Sequence, residues 1–211
     1  MLFKNRQDAA EKLIPYLKRY RKEDGIVLAV PRGGVPIGYH IAKHYNIPLE
    51  LLLTKKIGHP MSEEFAIGAV SLEDHIVDPE HLLPQAYIDE KIKKIRESLI
   101  ERHRKFMGDR KAPDLEGKIV IVADDGIATG NTLLAAIRMI RKRKPAKIVI
   151  VSPVASIEAS EKIKRLVDDF ICLYTPASFV GVGLYYQDFS EVSDDEVIRL
   201  LRESSHFSDA A

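Results

Sequence analysis

The chain has 211 residues, a formal net charge of +1, and hydrophobic and charged contents of 45% and 30%. These proportions are typical of a globular protein with one substantial core, and the near-neutral charge gives no general case for nucleic-acid or membrane-surface binding. No apolar run reaches membrane-spanning length, and the N-terminal residues lack the pattern of a signal peptide. The single cysteine, Cys172, cannot form an internal disulfide, so we expect a core thiol and a reducing, cytoplasmic setting.

Apolar runs that predict strands alternate along the chain with patterns that predict helices. A helical stripe occupies residues 5–20; the predicted strands are 26–30, 49–54, 119–123, 148–151 and 170–173, and further helices are 36–45, 133–143 and 157–166. Continuous apolar strands that alternate with helices indicate a mostly parallel sheet covered on both faces. We therefore predict a single doubly wound α/β domain over residues 1–211 with a five-stranded sheet. Its ligands should bind beyond the carboxyl ends of the strands.

The turn after the first predicted strand carries Pro31, Arg32, Gly33 and Gly34. Two successive glycines allow backbone geometry that other residues avoid, so their N–H groups could turn towards an anion. Arg32 offers a planar fork of donors that suits a phosphate. A plain strand–helix turn with a surface arginine would look the same.

Residues 54–70 are rich in charge. We expect Lys55 and Lys56 to close the strand before them, and Gly58 to turn the chain. Because side chains alternate along a strand, only one of the two lysines should face a site, and Lys56 is nearer the carboxyl end. A charged hairpin is the alternative interpretation.

Residues 86–107 predict a helix with one apolar stripe and many basic side chains on its other faces. Such a run is usually a solvated helix with one buried side. Together with its flanks it forms an insert over residues 58–112, which we expect to be a flexible loop with a helical part.

The most informative segment follows the strand predicted over residues 119–123. Asp124 and Asp125 stand where this strand must end, and a turn with two glycines and two threonines leads into the next helix. Unpaired N–H groups at the positive end of a helix dipole bind phosphate well. Two adjacent carboxylates add acceptors for sugar hydroxyls or for a divalent cation. The segment lacks the Gly-Lys-Ser/Thr of a P-loop.

This strand, acid pair and Gly/Thr-rich turn resemble the motif of the type I phosphoribosyltransferases, which use phosphoribosyl pyrophosphate (PRPP). The resemblance implies that Asp124 and Asp125 contact the ribose hydroxyls and, indirectly, Mg²⁺. It also implies a 5′-phosphate cradle formed by Gly126, Ile127, Ala128, Thr129, Gly130, Asn131 and Thr132. The pyrophosphate would lie against Arg32, Gly33, Gly34 and Lys56, with a cis Pro31–Arg32 bond.

Residues 174–192 resemble the hood segment of the hypoxanthine-guanine and xanthine enzymes. The resemblance implies that Phe179 and Val180 contact the base, although burial of Phe179 in the core is the alternative. Ala128 stands where those enzymes carry the acid that exchanges a proton with the purine. The nearest acids along the chain are Glu63 and Glu64, so the base remains open.

The resemblance implies an enzyme that transfers phosphoribose from PRPP to a nitrogenous base, with Asp124, Asp125 and Arg32 as catalytic residues and Mg²⁺ as cofactor. The expected partners are PRPP and a small base, without a membrane, in a homodimer. Nucleic acid is not expected, although net charge does not exclude an RNA-binding variant. The alternative function is a regulatory module that binds PRPP or a nucleotide without turnover.

Overall fold

The computed structural model describes residues 2–78, 83–205 and 207, without the side chains of residues 63 and 64. The strands in this part of the chain are β1 (Gly25–Ala29), β2 (Leu49–Leu51), β3 (Thr54–His59), β4 (Ser62–Ser71), β5 (His75–Val77), β6 (Ile119–Ala123), β7 (Lys147–Val154) and β8 (Asp169–Tyr174). The helices are α1 (Arg6–Leu13), α2 (Gly34–Tyr45), α3 (Gln85–Met107), α4 (Asn131–Lys142), α5 (Ile157–Lys164) and α6 (Asp194–Ser204). Two 3₁₀ helices cover Ile14–Tyr20 and Val182–Tyr185.

The central sheet is parallel throughout and has the order β2-β1-β6-β7-β8. Successive residues of β6 alternate between two apolar clusters: Ile121 packs with α1, α2 and α6, whereas Val122 packs with α4 and α5. Helices therefore cover both faces, which explains why β1 and β6 are buried at every position. The predicted α/β fold with five parallel strands is confirmed.

The insert contains a second sheet that the sequence analysis did not predict. Strands β3, β4 and β5 pair antiparallel, and their buried side chains, such as Ile57 and Ile67, pack against the apolar stripe of α3. The hairpin alternative for residues 54–70 is confirmed by the pairing of β3 with β4. Residues 79–82 of the predicted insert lie outside the described part of the chain.

Two smaller predictions need correction. The strand predicted over residues 49–54 ends at Leu51, because the chain then leaves the edge of the parallel sheet to begin the insert. Cys172 is half-buried on β8, where its thiol donates a hydrogen bond to the Tyr174 carbonyl at 3.2 Å, rather than fully buried in the core. None of the helices in the described residues has the length and apolar character needed to cross a membrane.

Candidate functional site

Two loops leave the carboxyl edge of the sheet side by side, because β1 and β6 are neighbours with Ala29 opposite Ala123. A Cβ atom on Gly33 would lie 1.9 Å from Asp125 Oδ2, and one on Gly34 would lie 2.4 Å from the Ala123 carbonyl oxygen. Both positions require glycine because the two loops touch there. The loop of residues 31–34 and the acid pair therefore meet at one place on the sheet edge.

The glycines of this first loop do not act as the sequence analysis expected. Gly33 has ordinary helical backbone with φ −62°, and the Gly34 N–H donates to the Val30 carbonyl at 2.9 Å. Close packing, and not unusual backbone geometry, is the reason for glycine at these positions. The N–H of Gly34 is already used within the protein and does not face an anion.

The predicted cis peptide bond between Pro31 and Arg32 is confirmed. The guanidinium of Arg32 lies between two carboxylates: it donates to Glu191 and, at 3.3 Å, to Asp194 Oδ1. Asp194 also accepts a hydrogen bond from Lys105 at 2.6 Å. Lys105, in the last turn of α3, is thus a basic side chain of the insert that lies close to Arg32.

The turn after the acid pair forms the rim of a pocket of about 180 Å³, which is named the phosphate pocket here after its predicted ligand. Gly130 has φ +70°, a conformation that glycine adopts easily, and this residue directs the chain into α4. No side chain within the described residues caps this helix, so its first N–H groups are available to a ligand. The exposed cradle residues are Ala128, Thr129, Asn131 and Thr132.

Ile127 holds this turn against the rest of the protein. Its side chain is 2% exposed, and its N–H donates to the Val154 carbonyl at 2.9 Å. The prediction that the Ile127 N–H belongs to the phosphate cradle is therefore wrong. Gly126 packs against the hood segment, because a Cβ atom there would lie 2.2 Å from Val182 Cγ1.

The acid pair is less exposed than the sequence analysis expected of a strand end. The side chain of Asp125 is only 13% exposed, and Asp124 is half-buried in the wall of the phosphate pocket. Asp124 Oδ1 accepts a hydrogen bond from the Asp125 N–H at 2.9 Å. Burial, and then the negative charge of Asp125, raise the pKa of Asp124 well above its usual range.

Asp125 has a partner that no sequence pattern indicated. Arg6 Nε donates to Asp125 Oδ2 at 2.8 Å, and the Arg6 side chain is only 11% exposed. The same guanidinium donates to the Ser190 carbonyl at 2.8 Å and lies 4.1 Å from the centre of the Phe189 ring. Burial raises the pKa of Asp125, whereas the charge of Arg6 and its hydrogen bond oppose that rise.

The two acids therefore have different surroundings. Asp124 faces the phosphate pocket, whereas Asp125 is bound by Arg6 and faces Gly33. The hydroxyl of Tyr186 donates to the Asp125 carbonyl at 2.6 Å, so the end of the hood segment also fixes this strand end. The sequence motif predicted both acids as site residues, but only the packing of α1 and the hood segment distinguishes them.

The carboxylates at this site suit a magnesium ion that is bound together with the phosphates of a substrate. Within the described residues, no group of three or more His, Cys, Asp or Glu side chains is arranged to hold a metal. Mg²⁺ commonly binds through one or two carboxylates together with water and substrate phosphates. Asp124 on the pocket wall can supply such a carboxylate, directly or through water.

The remaining predicted residues lie outside the two loops and the acid pair. Lys56 is within β3 of the insert and not at the carboxyl end of β2, and Thr54 lines the phosphate pocket instead. Phe179 is half-buried against Tyr185 with the ring centres 5.9 Å apart, so it is not part of the core. Val180 is 78% exposed. The side chains of Glu63 and Glu64 lie outside the described residues.

Similarity to known proteins covers most of the chain. The profile of the phosphoribosyl transferase domain matches residues 2–187. Proteins of two Mycobacterium tuberculosis strains, provisionally named phosphoribosyl transferases, are 35% identical over 216 residues, covering 99% of this chain and 48% of each relative. The chain thus spans about half the length of these curated relatives. The crystal structure of TT1426 from Thermus thermophilus is 33% identical with a TM-score of 0.86, covering 96% of this chain and 99% of that one.

Proposed function

Since the chain belongs to the phosphoribosyl transferase domain family, we propose that it transfers the 5-phosphoribosyl group of PRPP to a nitrogenous base and releases pyrophosphate. The observation that carries this proposal is the contact between the two loops. Gly33 lies against Asp125, so a basic loop, an acid pair and an open helix N-terminus face one region. PRPP presents a pyrophosphate, two hydroxyls and a 5′-phosphate, in an order that matches these three features.

In the proposed reaction, the chain positions PRPP and stabilises charge. The free N–H groups at the start of α4 bind the 5′-phosphate, and Asp124 accepts a hydrogen bond from a ribose hydroxyl. A nitrogen lone pair of the base forms a bond to C1′ while the C1′–O bond breaks, the electrons of that bond leave with pyrophosphate, and the base loses a proton to solvent. Arg32 stabilises the charge that develops on this leaving group. Bound Mg²⁺ would neutralise further charge on the phosphate oxygens.

Arg32 must exchange partners for this role, because Glu191 and Asp194 bind its guanidinium. We expect pyrophosphate inhibition to weaken about 10-fold in Arg32→Lys, which keeps the positive charge but loses the two parallel N–H donors of the guanidinium. Inhibition should weaken about 100-fold in Arg32→Ala, which loses both. Glu191→Gln is the matched control: it removes a competing carboxylate that is 76% exposed, so inhibition should strengthen. Inhibition constants that are equal in all four proteins would show that Arg32 does not contact pyrophosphate.

The proposed acceptor is a flat, purine-like base held by stacking and backbone hydrogen bonds. Phe179 and Tyr185 are both half-buried and offer a partly exposed aromatic surface in the hood segment, and Ala128 leaves the phosphate loop without an acid for the base. Pyrophosphate release should be measured with PRPP, Mg²⁺ and a panel that contains 6-oxopurines, adenine, orotate and uracil. Release with a 6-oxopurine supports this acceptor, whereas release with orotate or uracil alone contradicts it.

The same panel tests the second candidate function, which is a regulatory module that binds PRPP without turnover. The observation that favours it is Ala128, which provides no proton-transfer group in the loop. Tight PRPP binding without pyrophosphate release for any base would make this the better function. The cytoplasmic location, the homodimer and the role of Lys56 stay predictions.

A further inference from the structure

A second cavity lies beside the phosphate pocket and has no role in the proposed reaction. Its volume is about 160 Å³, and it shares Leu52, Thr54 and Ala136 with the wall of the phosphate pocket. It extends from there between β2, the loop that joins β4 to β5, and the chain that follows α3. Most of its walls are apolar, with Leu28, Leu115 and Met139 among them.

One carboxylate interrupts this apolar lining. Glu50 is the central residue of β2, and its register neighbour on β1 is Leu28, whose own neighbour on β6 is Val122. Leu28 and Val122 belong to the apolar cluster on the α4 side of the sheet. Glu50 therefore extends an apolar row of the sheet at a place where an aliphatic side chain would pack.

Nothing in the described part of the chain compensates this carboxylate directly. No hydrogen bond or ion pair joins Glu50 to any described residue, and only the charge of Arg110 acts on it from a distance. Burial raises the pKa of Glu50 to about 7, and burial also lowers the pKa of His103, another residue of the lining. Glu50 is half-buried, and a partly desolvated acceptor without a protein donor costs stability; such groups are concentrated at functional sites.

We propose that this cavity binds a small aromatic or heteroaromatic molecule that carries an amine or amidine. The N–H groups of this ligand would donate hydrogen bonds to the carboxylate of Glu50. The apolar walls suit a flat ring, and a cavity of about 150 Å³ is known to hold benzene. The carboxylate selects a cation or an N–H donor and disfavours an anion. The cavity is therefore chemically distinct from the phosphate pocket, which is built for anions.

Binding in this cavity should be linked to PRPP binding, because Leu52, Thr54 and Ala136 form part of both walls. A ligand that fixes these residues changes the affinity of the neighbouring pocket, and linkage requires the reverse effect to be equal. This linkage rests on the proposed function, whereas binding in the cavity does not. Benzamidine binding is measured without PRPP, and the linkage is measured as the change in PRPP affinity when benzamidine is present, so failure of one is distinguishable from failure of the other.

Benzamidine is the probe, with benzoate as the ligand of the same shape and opposite charge. Calorimetry on the full chain should show saturable benzamidine binding that weakens at least 10-fold in Glu50→Gln, and no benzoate binding. Glu161→Gln, on the exposed side of α5, is the matched control and should bind like the wild type. Ala112→Phe, which keeps Glu50 but fills the cavity, should also abolish binding. Absence of benzamidine binding, or binding that neither cavity variant weakens, would overturn the proposal.

The pH dependence provides a second test. A folded-state pKa of about 7, compared with 4.5 for the ordinary side chain, means that ionisation of Glu50 opposes folding. The melting temperature of Glu50→Gln should therefore exceed that of the wild type increasingly as pH rises from about 4.5 to 7, and remain higher above that. Benzamidine binding should tighten over the same range, because the amidinium binds the ionised carboxylate. The other titratable groups around the cavity are Glu73, Asp74, His103, Arg110 and Arg143.

A melting difference that does not change between pH 4.5 and 8 would contradict this assignment of Glu50. Affinity for benzamidine that is constant over that range would overturn the proposed pairing with the carboxylate. Glu161→Gln again serves as the control in both measurements, since its carboxylate is exposed and should not alter either profile.

Discussion

Replacement of Asp124 by Asn should reduce PRPP-dependent pyrophosphate release about 10- to 100-fold, while the protein becomes more stable to heat at neutral pH. The loss follows because the carboxylate of Asp124 lines the phosphate pocket, where a charged acceptor for a ribose hydroxyl contributes about 1.5–3 kcal/mol. The gain in stability follows because burial raises the pKa of Asp124, so its ionised form opposes folding. Asparagine keeps the shape of the side chain and has no charge to bury.

The stability that Asp124→Asn gains should depend on pH, because the pKa of Asp124 is raised in the folded protein. The advantage of Asp124→Asn should be present above the ordinary pKa of 3.8 and should disappear as pH falls towards that value. Asp114→Asn is the control, because Asp114 is exposed and lies away from the pocket. Calorimetry with Mg²⁺ measures PRPP affinity directly, and an unchanged dissociation constant in Asp124→Asn would remove this residue from the ribose site.

Replacement of Arg6 by Gln should lower the free energy of unfolding by about 3 kcal/mol at neutral pH. Arg6 and Asp125 form an ion pair with side chains only 11% and 13% exposed, so removal of the guanidinium leaves a buried carboxylate without its cation. The cost should decrease at lower pH, where Asp125 becomes protonated. Denaturant unfolding monitored by circular dichroism measures the change.

A double-mutant cycle identifies the origin of this cost. If the unpaired carboxylate is responsible, Asp125→Asn in the Arg6→Gln background should recover most of the lost stability. Arg19→Gln is the matched control, since Arg19 is 58% exposed in its ion pair with Asp169 and should contribute less than about 1 kcal/mol. Additive effects of the two changes would mean that Arg6 stabilises the fold through Phe189 and Ser190 and not through Asp125.

The parts of the fold that could be predicted are those that leave a local pattern. The run 119–123 is apolar at every position because β6 is covered on both faces, and the structure has the strand at the same residues. The insert sheet left no such pattern. In β3 the buried Ile57 stands between Lys56 and Gly58, which makes this strand look like a loop, and Gly68 interrupts the short apolar run that contains Ile67 in β4. Lys56 was misplaced for this reason.

The sequence by itself determined the α/β class, the order of the central elements and the positions of the acid pair and the two loops, because these depend on residue type and spacing along a few neighbouring residues. Only the tertiary structure decided how the two acids differ, since Arg6 contacts Asp125 from the far N-terminus through the docking of α1 beside the hood. Only it showed that Glu50 lies in an apolar wall, because burial of a residue on β2 depends on α4 and the chain after α3. The free energy of a charged group is set by the dielectric and by partners from distant segments, which no local pattern records.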